Sequence, residues 1–487
     1  MRTFLCSLLV CVGISTAAYA ADSATMLARI LAAKHLITSE ELAVVEAATD
    51  DQRVAVLTGI LTHEGLLNGG DMAQLTPVAY AAPAPRTQAA QQTQSEHPTV
   101  TATPPPVISA THVPVTLYGT LVFNSFFDTA LANIQDLPLF AAKQGSDALG
   151  NDKSFGMTAR QTRFGLRFNG PEVWGGRLTG QLEMDFLGGK TGLGNGINMD
   201  IPRLRLALGR VDWDHVSLEG GQDWSIFAPL NPTSFAEYAI PEMSASGNPW
   251  IRMPQLRLEF HNAPADPVRM LFQVAAIDPN MGDYTPALTA ARTPGIGERG
   301  RAPGIESRAA LTAKVRGQDL SVGISEHWAH GKNAGTVGTT TIQLPMDSWG
   351  VALDYVLPFG KAFNLSGELY EGRALGIFSV ASVEAILPVG SLGSSGVLSR
   401  GGWIQAQANW TPKWQTNLAY GIDDPKASDL PVGNRLQNQT AMANLMYKAT
   451  AHVTLAWEWR RFITNFKAQR AAGERGDQFN MAMVYLF

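Results

Sequence analysis

The chain has 487 residues and a formal charge of −5, from 37 Lys+Arg against 42 Asp+Glu, with only 16% of residues charged. That balance, with no basic run, argues against a nucleic-acid partner, and the charge content is low for a soluble protein of this length. Gly is abundant at 47 residues, and 11 Trp are spread along the chain.

The first expected element is a leader. "MRTF" carries a positive charge, "LCSLLVCVGI" is a short apolar core, and Ala18, Tyr19 and Ala20 form an A-x-A cleavage signal, so residues 1–20 read as a secretory signal peptide. Val10 is not small, which argues against Cys11 as a lipidated cysteine. Both cysteines fall in the leader, so the exported chain has no disulfide framework. No later segment reaches ~18 uninterrupted apolar residues, which argues against a transmembrane helix but leaves a barrel of strands untested.

Residues 21–76 are Ala/Leu-rich with helical spacing and hold a repeat, "ILAAKHLITSEEL" from Ile30 and "ILTHEGLLNGGDM" from Ile60. "TSEEL" places Thr38 or Ser39 ahead of Glu41, a helix-start signal close to a capping box. Helix–turn–helix pairs this short are expected to self-associate or to pack on a partner. Residues 77–112 are rich in Pro, Ala, Gln and Thr and read as an extended linker.

From about Val113 to Phe487 the pattern turns to period two. "LTGQLEMDF" sets Leu178, Leu182, Met184 and Phe186 against Thr179, Gln181, Glu183 and Asp185. "RLRLALG" sets Leu204, Leu206 and Leu208 against Arg203, Arg205 and Ala207. "VTLAWEWR" sets Val453, Leu455, Trp457 and Trp459 against Thr454, Ala456, Glu458 and Arg460. About sixteen such segments start near Val115, Gln161, Arg177, Pro202, His215, Arg252, Val268, Ser307, Leu320, Asp347, Ala362, Gly401, Gln415, Gln437, His452 and Gln478. Short gaps with turn residues, such as "RVDWD" and "PFGK", alternate with long Gly/Pro/Ser-rich ones such as 129–160, 225–251, 278–306, 374–398 and 463–476.

One phase of these strands is apolar and carries aromatics near strand ends, at Tyr118, Trp174, Trp213, Trp410, Trp414, Trp459 and Tyr485. The other phase is polar and charged. Aromatic girdles, a wet lumen and alternating short and long loops are what an outer-membrane barrel requires. In lipid every backbone N–H must be paired, so the sheet has to close. The apolar ending "FNMAMVYLF" is then the seam, paired with "VPVTLYGTLVFNSFF". The expected fold is all-β: a transmembrane barrel of about 16 antiparallel strands behind a small N-terminal helical segment.

The leader, helical segment, strands and C-terminal Phe487 together resemble a Gram-negative outer-membrane porin. "LEGGQDWSIFAP" followed by "NPWIRMPQLRLEF" resembles a stretch of the DcaP-like trimeric porins, which also carry an N-terminal helical extension. The resemblance implies residence in the outer-membrane lipid, a homotrimer, and diffusion of small anionic solutes. Contact with peptidoglycan through the periplasmic N-terminal segment is a further expectation.

A barrel of ~16 strands leaves an aqueous channel, whose selectivity follows the charges lining it. The expected lining is Arg163, Arg167, Arg203, Arg205 and Arg257 with Glu183, Asp185, Glu219 and Glu259, joined on the same phase by Arg177, Arg269 and Arg308. Guanidinium is permanently charged and presents a planar fork to carboxylates. The gap 225–251 follows "GGQDW" and is expected to fold inward as a constriction loop with Glu237, Tyr238 and Glu242. Arginines on the wall facing acids on the loop would set up a transverse field favouring small anions such as carboxylates. No catalytic residue, metal site or cofactor is expected. His327 and His330 in "EHWAHG" read as a strand–loop junction without further ligands, "THEG" lacks a zincin's second histidine, and no Ser and His at matched depth on adjacent strands are evident. The alternative reading is a structural barrel that anchors the envelope through its N-terminal helices.

Overall fold

The computed structural model describes residues 25, 28, 29, 31, 32, 36–49, 52–63, 107–108, 113–143, 153–192, 198–283, 293–315, 317–337, 340–379, 396–467 and 473–487. The leader with its cleavage signal, the second repeat beyond His63 and most of the linker lie outside them. The chain divides into two units, one ending at Arg86 and one beginning at Thr87.

In the first unit, α1 spans Ser39–Ala47 and α2 spans Arg53–His63. Thr38 caps α1 reciprocally: the Glu41 amide donates to Thr38 Oγ1 at 3.2 Å, and the Thr38 amide donates to Glu41 Oε2 at 2.7 Å. Two orphan helix donors are thereby satisfied. Ala28, Leu31, Ile37, Val45, Leu57 and Leu61 form one buried core. Leu31 and Leu61 hold equivalent places in the two repeats and meet there, the burial that helices this short need in order to persist.

The second unit is a closed antiparallel barrel of 16 strands. They are β1 Pro114–Asp128, β2 Arg163–Val173, β3 Gly176–Asp185, β4 Arg203–Asp212, β5 Val216–Trp224, β6 Arg252–His261, β7 Val268–Ile277 and β8 Gly304–Val315. The second half is β9 Gln318–Val337, β10 Thr340–Phe359, β11 Phe363–Arg373, β12 Leu398–Asn409, β13 Trp414–Pro425, β14 Arg435–Lys448, β15 Val453–Phe466 and β16 Glu474–Leu486. β16 pairs with β1, and at its end Gly119 and Phe487 exchange both backbone hydrogen bonds, at 2.9 and 3.1 Å. The apolar C-terminus is therefore the seam. Phe479, Met481, Met483, Tyr485 and Phe487 are exposed on the outer face, while Ala482 and Val484 are buried on the inner one.

Local chemistry explains the short turns. Trp174 and Gly175 join β2 to β3 with positive φ at both positions (52° and 76°), the two-residue turn whose twist matches a hairpin. Segments 107–108 and 154–158 add to β1 from the linker and from the first long loop. The first of these falls within the stretch expected to be a linker. Gln161 was placed at a strand start but sits in the break between 154–158 and β2, where its side chain is fully buried.

Four expectations change. The stretch ahead of the segment expected to start near Asp347 is strand already: β9 and β10 pair out to Val337 and Thr340. "EHWAHG" accordingly lies within β9 and not at its end, with His327 buried inside and His330 on the opposite face. Tyr118 is not a girdle residue, since its hydroxyl donates to Glu183 Oε2 at 2.9 Å inside the barrel. Finally, β4 does not alternate regularly. Glu183 pairs with Leu206 and Met184 with Leu204, leaving Arg205 as the extra residue of a bulge. Beyond it the phase flips, so Leu206 turns inward at 6% exposure while Leu204 stays outside at 47%. Gln222, on the outer face of β5, caps the bulge by donating to the carbonyls of Leu204 and Arg205 at 3.1 and 3.0 Å.

Candidate functional site

Residues 225–251 leave β5 and return at β6 through the barrel interior, and almost every one is buried. A buried segment without regular structure must find partners for its backbone groups. The wall supplies them. Glu306 on β8 accepts from Ser225 Oγ at 2.8 Å and from the Ile226 amide at 3.1 Å. Glu368 on β11 accepts from the Leu230 amide at 2.5 Å, and Gln405 on β12 accepts from the Thr233 amide at 2.7 Å. Gln161 Oε1 takes the amides of Tyr238 and Ala239 at 2.6 and 3.0 Å. Asn438 on β14 donates to the Ala245 carbonyl at 2.9 Å.

Three apolar clusters press the loop to the wall. Phe227 packs with Tyr370, Leu375 and Phe378, the last two from the loop after β11. Leu230 and Met243 sit on Trp403, whose indole N–H donates to Glu368 at 3.1 Å. Phe235 and Tyr238 pack with Val122, Met446 and Ala456. The loop is seated like a globular core and not hung as a flap.

The expected lining residues fall into distinct environments. Arg203 forks onto Asp185 at 3.0 and 2.6 Å, and Arg205 bridges Glu183 at 2.7 Å and Asp185 at 2.9 Å. Both also donate to the Ala239 carbonyl of the loop, at 3.0 and 3.2 Å. Arg163 lies 3.7 Å from the Tyr238 ring centroid and donates to the Tyr238 carbonyl at 2.7 Å. Arg167 stays exposed over Tyr118, and Arg177 is exposed beside its turn. Arg257 is fully buried among Glu219, Asp223 and Glu259, at 2.6, 2.8 and 2.9 Å. Arg308 is likewise buried on Asp354 at 2.8 Å, and Arg269 pairs with Asp319 at 2.7 Å.

Glu237 and Glu242 do not face these arginines. Both are turned onto Arg460 of β15, with Glu458 beside it, so the expected row of acids opposite the wall arginines is replaced by loop carbonyls. Sequence reasoning put Arg460 on the polar phase of β15 but could not pair it, because its partners lie in a distant loop. Arg210 and Arg252 were missed as well. Arg210 binds Asp212, Glu219 and Glu259 at 2.6, 3.3 and 2.5 Å. Arg252 lies over the rings of Trp224 and Trp250, at 4.4 and 5.1 Å, and its Nη1 has no hydrogen-bond partner among the described residues.

Burial drives the Glu237 carboxyl well above the ordinary carboxylate range and also raises Glu242, because one guanidinium serves three carboxyl groups. A carboxyl with a raised value is protonated more readily in the seated loop than in a released one. Its contribution is therefore complete below the ordinary carboxylate value and is lost as pH climbs through the raised one. Channel current is expected to become noisier and larger as pH rises above the ordinary carboxylate range. Equal traces from acid to alkaline buffer would contradict this.

The structure also brings together a chain that sequence reasoning did not locate. His327 Nδ1 meets Glu306 at 3.2 Å and its Nε2 meets Ser348 Oγ at 3.2 Å, on adjacent strands at matched depth. Ser348 donates its hydroxyl proton to the Ala374 carbonyl at 2.9 Å, and all three residues are at most 3% exposed. Such a serine is not a free nucleophile; the chain ties two inward loops to the wall.

Between residues 225 and 250 only Thr233 and Ile240 keep appreciable exposure. Ile240 follows the carbonyl that receives Arg203 and Arg205, and Arg163, Arg203 and Arg252 are themselves half-buried. On the arginine side the loop thus meets the wall through hydrogen bonds while Ile240 and these arginines keep partial exposure. There Arg163, Arg203, Arg205 and Arg252 share one electrostatic neighbourhood with Glu183 and Asp185, four cations against two carboxylates.

No family model and no curated protein matches the chain. Among solved structures, the outer-membrane channel DcaP of Acinetobacter baumannii is similar at 19% identity with a TM-score of 0.59, over 79% of this chain and 100% of that one. OprB of Pseudomonas putida follows at 11% identity and TM-score 0.48, over 76% of this chain and 94% of that one. The first likeness shows a shared barrel fold.

Proposed function

We propose that the chain is an outer-membrane porin that passes small hydrophilic solutes and favours anions such as carboxylates. The observation that carries this reading is the excess of arginine where the inner loop meets the wall at Tyr238 and Ala239 and partial exposure remains. A solute passing there meets guanidinium groups and loop carbonyls, while the loop's own acids are turned away onto Arg460. An excess of cations over carboxylates along a narrow aqueous passage lowers the barrier for anions and raises it for cations. The reading extends to a homotrimer, as the resemblance to the DcaP-like trimeric porins implies, and to a periplasmic helical unit able to contact peptidoglycan.

Reversal potentials across a salt gradient test the reading. The intact pore should favour chloride over potassium, and the triple variant Arg163→Gln/Arg203→Gln/Arg252→Gln should lose that preference. Cation selectivity in the intact pore would refute it. The extent of loop packing favours one second reading, a barrel plugged at rest that serves as an envelope mount. Liposome swelling separates the two, since a plugged barrel gives no solute flux.

A further inference from the structure

The outer wall carries a groove of about 1100 Å³ that the pore reading does not use. It lies on the lipid-facing phase of β6 to β10, at the short-turn end. Its large walls are Phe260 and Phe272, stacked at 6.4 Å, with Leu311, Val322 and Ile324, all of them exposed. Ala309 provides the floor: on the outer row of β8 it is the small residue between Phe272 of β7 and Ile324 of β9, its direct cross-strand partners. A trough of this composition facing hydrocarbon is filled by a hydrocarbon chain, because a void would leave its lining without contacts.

The rim decides which lipid. His215, His261 and Asp266 line the same groove at its turn end. His215 Nδ1 lies 3.2 Å from the His261 carbonyl, and His261 Nδ1 lies 3.3 Å from the Asn262 carbonyl. A carbonyl only accepts, so each Nδ1 carries a proton and is committed to that carbonyl. The Asp266 carboxylate at this rim attracts an ammonium group and repels a headgroup of net negative charge. Asn262 is already committed, donating to Val268 O at 2.7 Å and accepting from the Met270 amide at 2.7 Å.

We infer that this groove is a binding site for an ammonium-bearing phospholipid, with one acyl chain over Ala309 and the ammonium group among Asp266 and the two histidines. The inference rests on the barrel being embedded in a membrane, as the proposed function has it, but not on the pore conducting.

The test is native mass spectrometry of the full-length barrel in mild detergent, offered equal amounts of phosphatidylethanolamine and phosphatidylglycerol with identical acyl chains. Retention of the ethanolamine lipid should exceed that of the glycerol lipid by about tenfold, the ratio that one favourable ionic contact of about 1.4 kcal/mol gives. Asp266→Asn should bring the two lipids close to parity in a barrel that still folds. Ala309→Phe should abolish retention of both. Equal retention by the unaltered protein, or undiminished binding to Ala309→Phe, overturns the inference. Cross-linking of Ala309→Cys between two chains would overturn it too, since a second copy would then cover the groove. Conductance recorded on the same samples should be unchanged in both variants. A silent channel that still selects the ethanolamine lipid would count against the porin reading alone.

Discussion

Replacing Arg460 with alanine is expected to leave the sixteen strands paired and to unseat the loop they enclose. Arg460 is fully buried and contacts Glu237, Glu242 and Glu458, while its Nη2 donates to Gln478 of β16. Removing the one cation leaves three carboxyl groups in a desolvated site. Breaking a buried ionic cluster by deleting one partner costs about 3–5 kcal/mol, because the carboxyl groups left behind have neither the cation nor water to turn to. Wall packing and strand pairing are untouched, so the cost falls on the loop. Single-channel traces should show a larger and less steady current, and circular dichroism should report an unchanged strand signal. Adding Glu237→Gln and Glu242→Gln to the variant should restore part of the quiet state, since neutral amides need no cation. Traces indistinguishable from the parent would show that the cluster does not hold the loop.

A second large effect is expected at Gly247. This loop residue has φ of 98°, and a Cβ there would stand 2.2 Å from the Gly402 carbonyl and 2.4 Å from the Ile422 carbonyl. Those oxygens belong to β12 and β13 and cannot retreat without breaking the ladder. The positive φ alone costs an alanine about 1–3 kcal/mol, and the contact with two wall carbonyls adds to it. Gly247→Ala should therefore expose the loop to protease in detergent while the barrel keeps its thermal unfolding temperature. Gly209→Ala is the matched control, because nothing lies within 4 Å of its added carbon. Equal protease resistance in the two variants would contradict this account.

How much of this was legible in the chain depended on the range of the interaction. Strand positions follow from side-chain alternation, a local signal, and they emerge where expected except where alternation carries no contrast. "TTIQLPM" lies in the upper part of β10, where both faces are mixed, so its pairing with β9 does not show in the pattern. The inward loop was suggested by the glycines after β5 and by its own composition. Its partners were not, because Glu306, Glu368, Gln405 and Arg460 sit on strands that only closure of the sheet brings near. The same holds for the Glu306, His327 and Ser348 chain. The bulge in β4 hid a phase change inside what reads as an unbroken run. The one clue was Gln222, a polar side chain on an otherwise apolar row.

That bulge has a consequence for how much charge one strand can hold. Arg203 and Arg205 occupy odd positions of β4, and Arg210 and Asp212 even ones. In an unbroken ladder one of these pairs would be forced to point into hydrocarbon, at about 2–4 kcal/mol for each cation near the midplane. The single supernumerary residue reverses parity between them, so both pairs face the barrel interior and its carboxylates. Deleting one residue there would keep β4 in register with either its first half or its second, never with both.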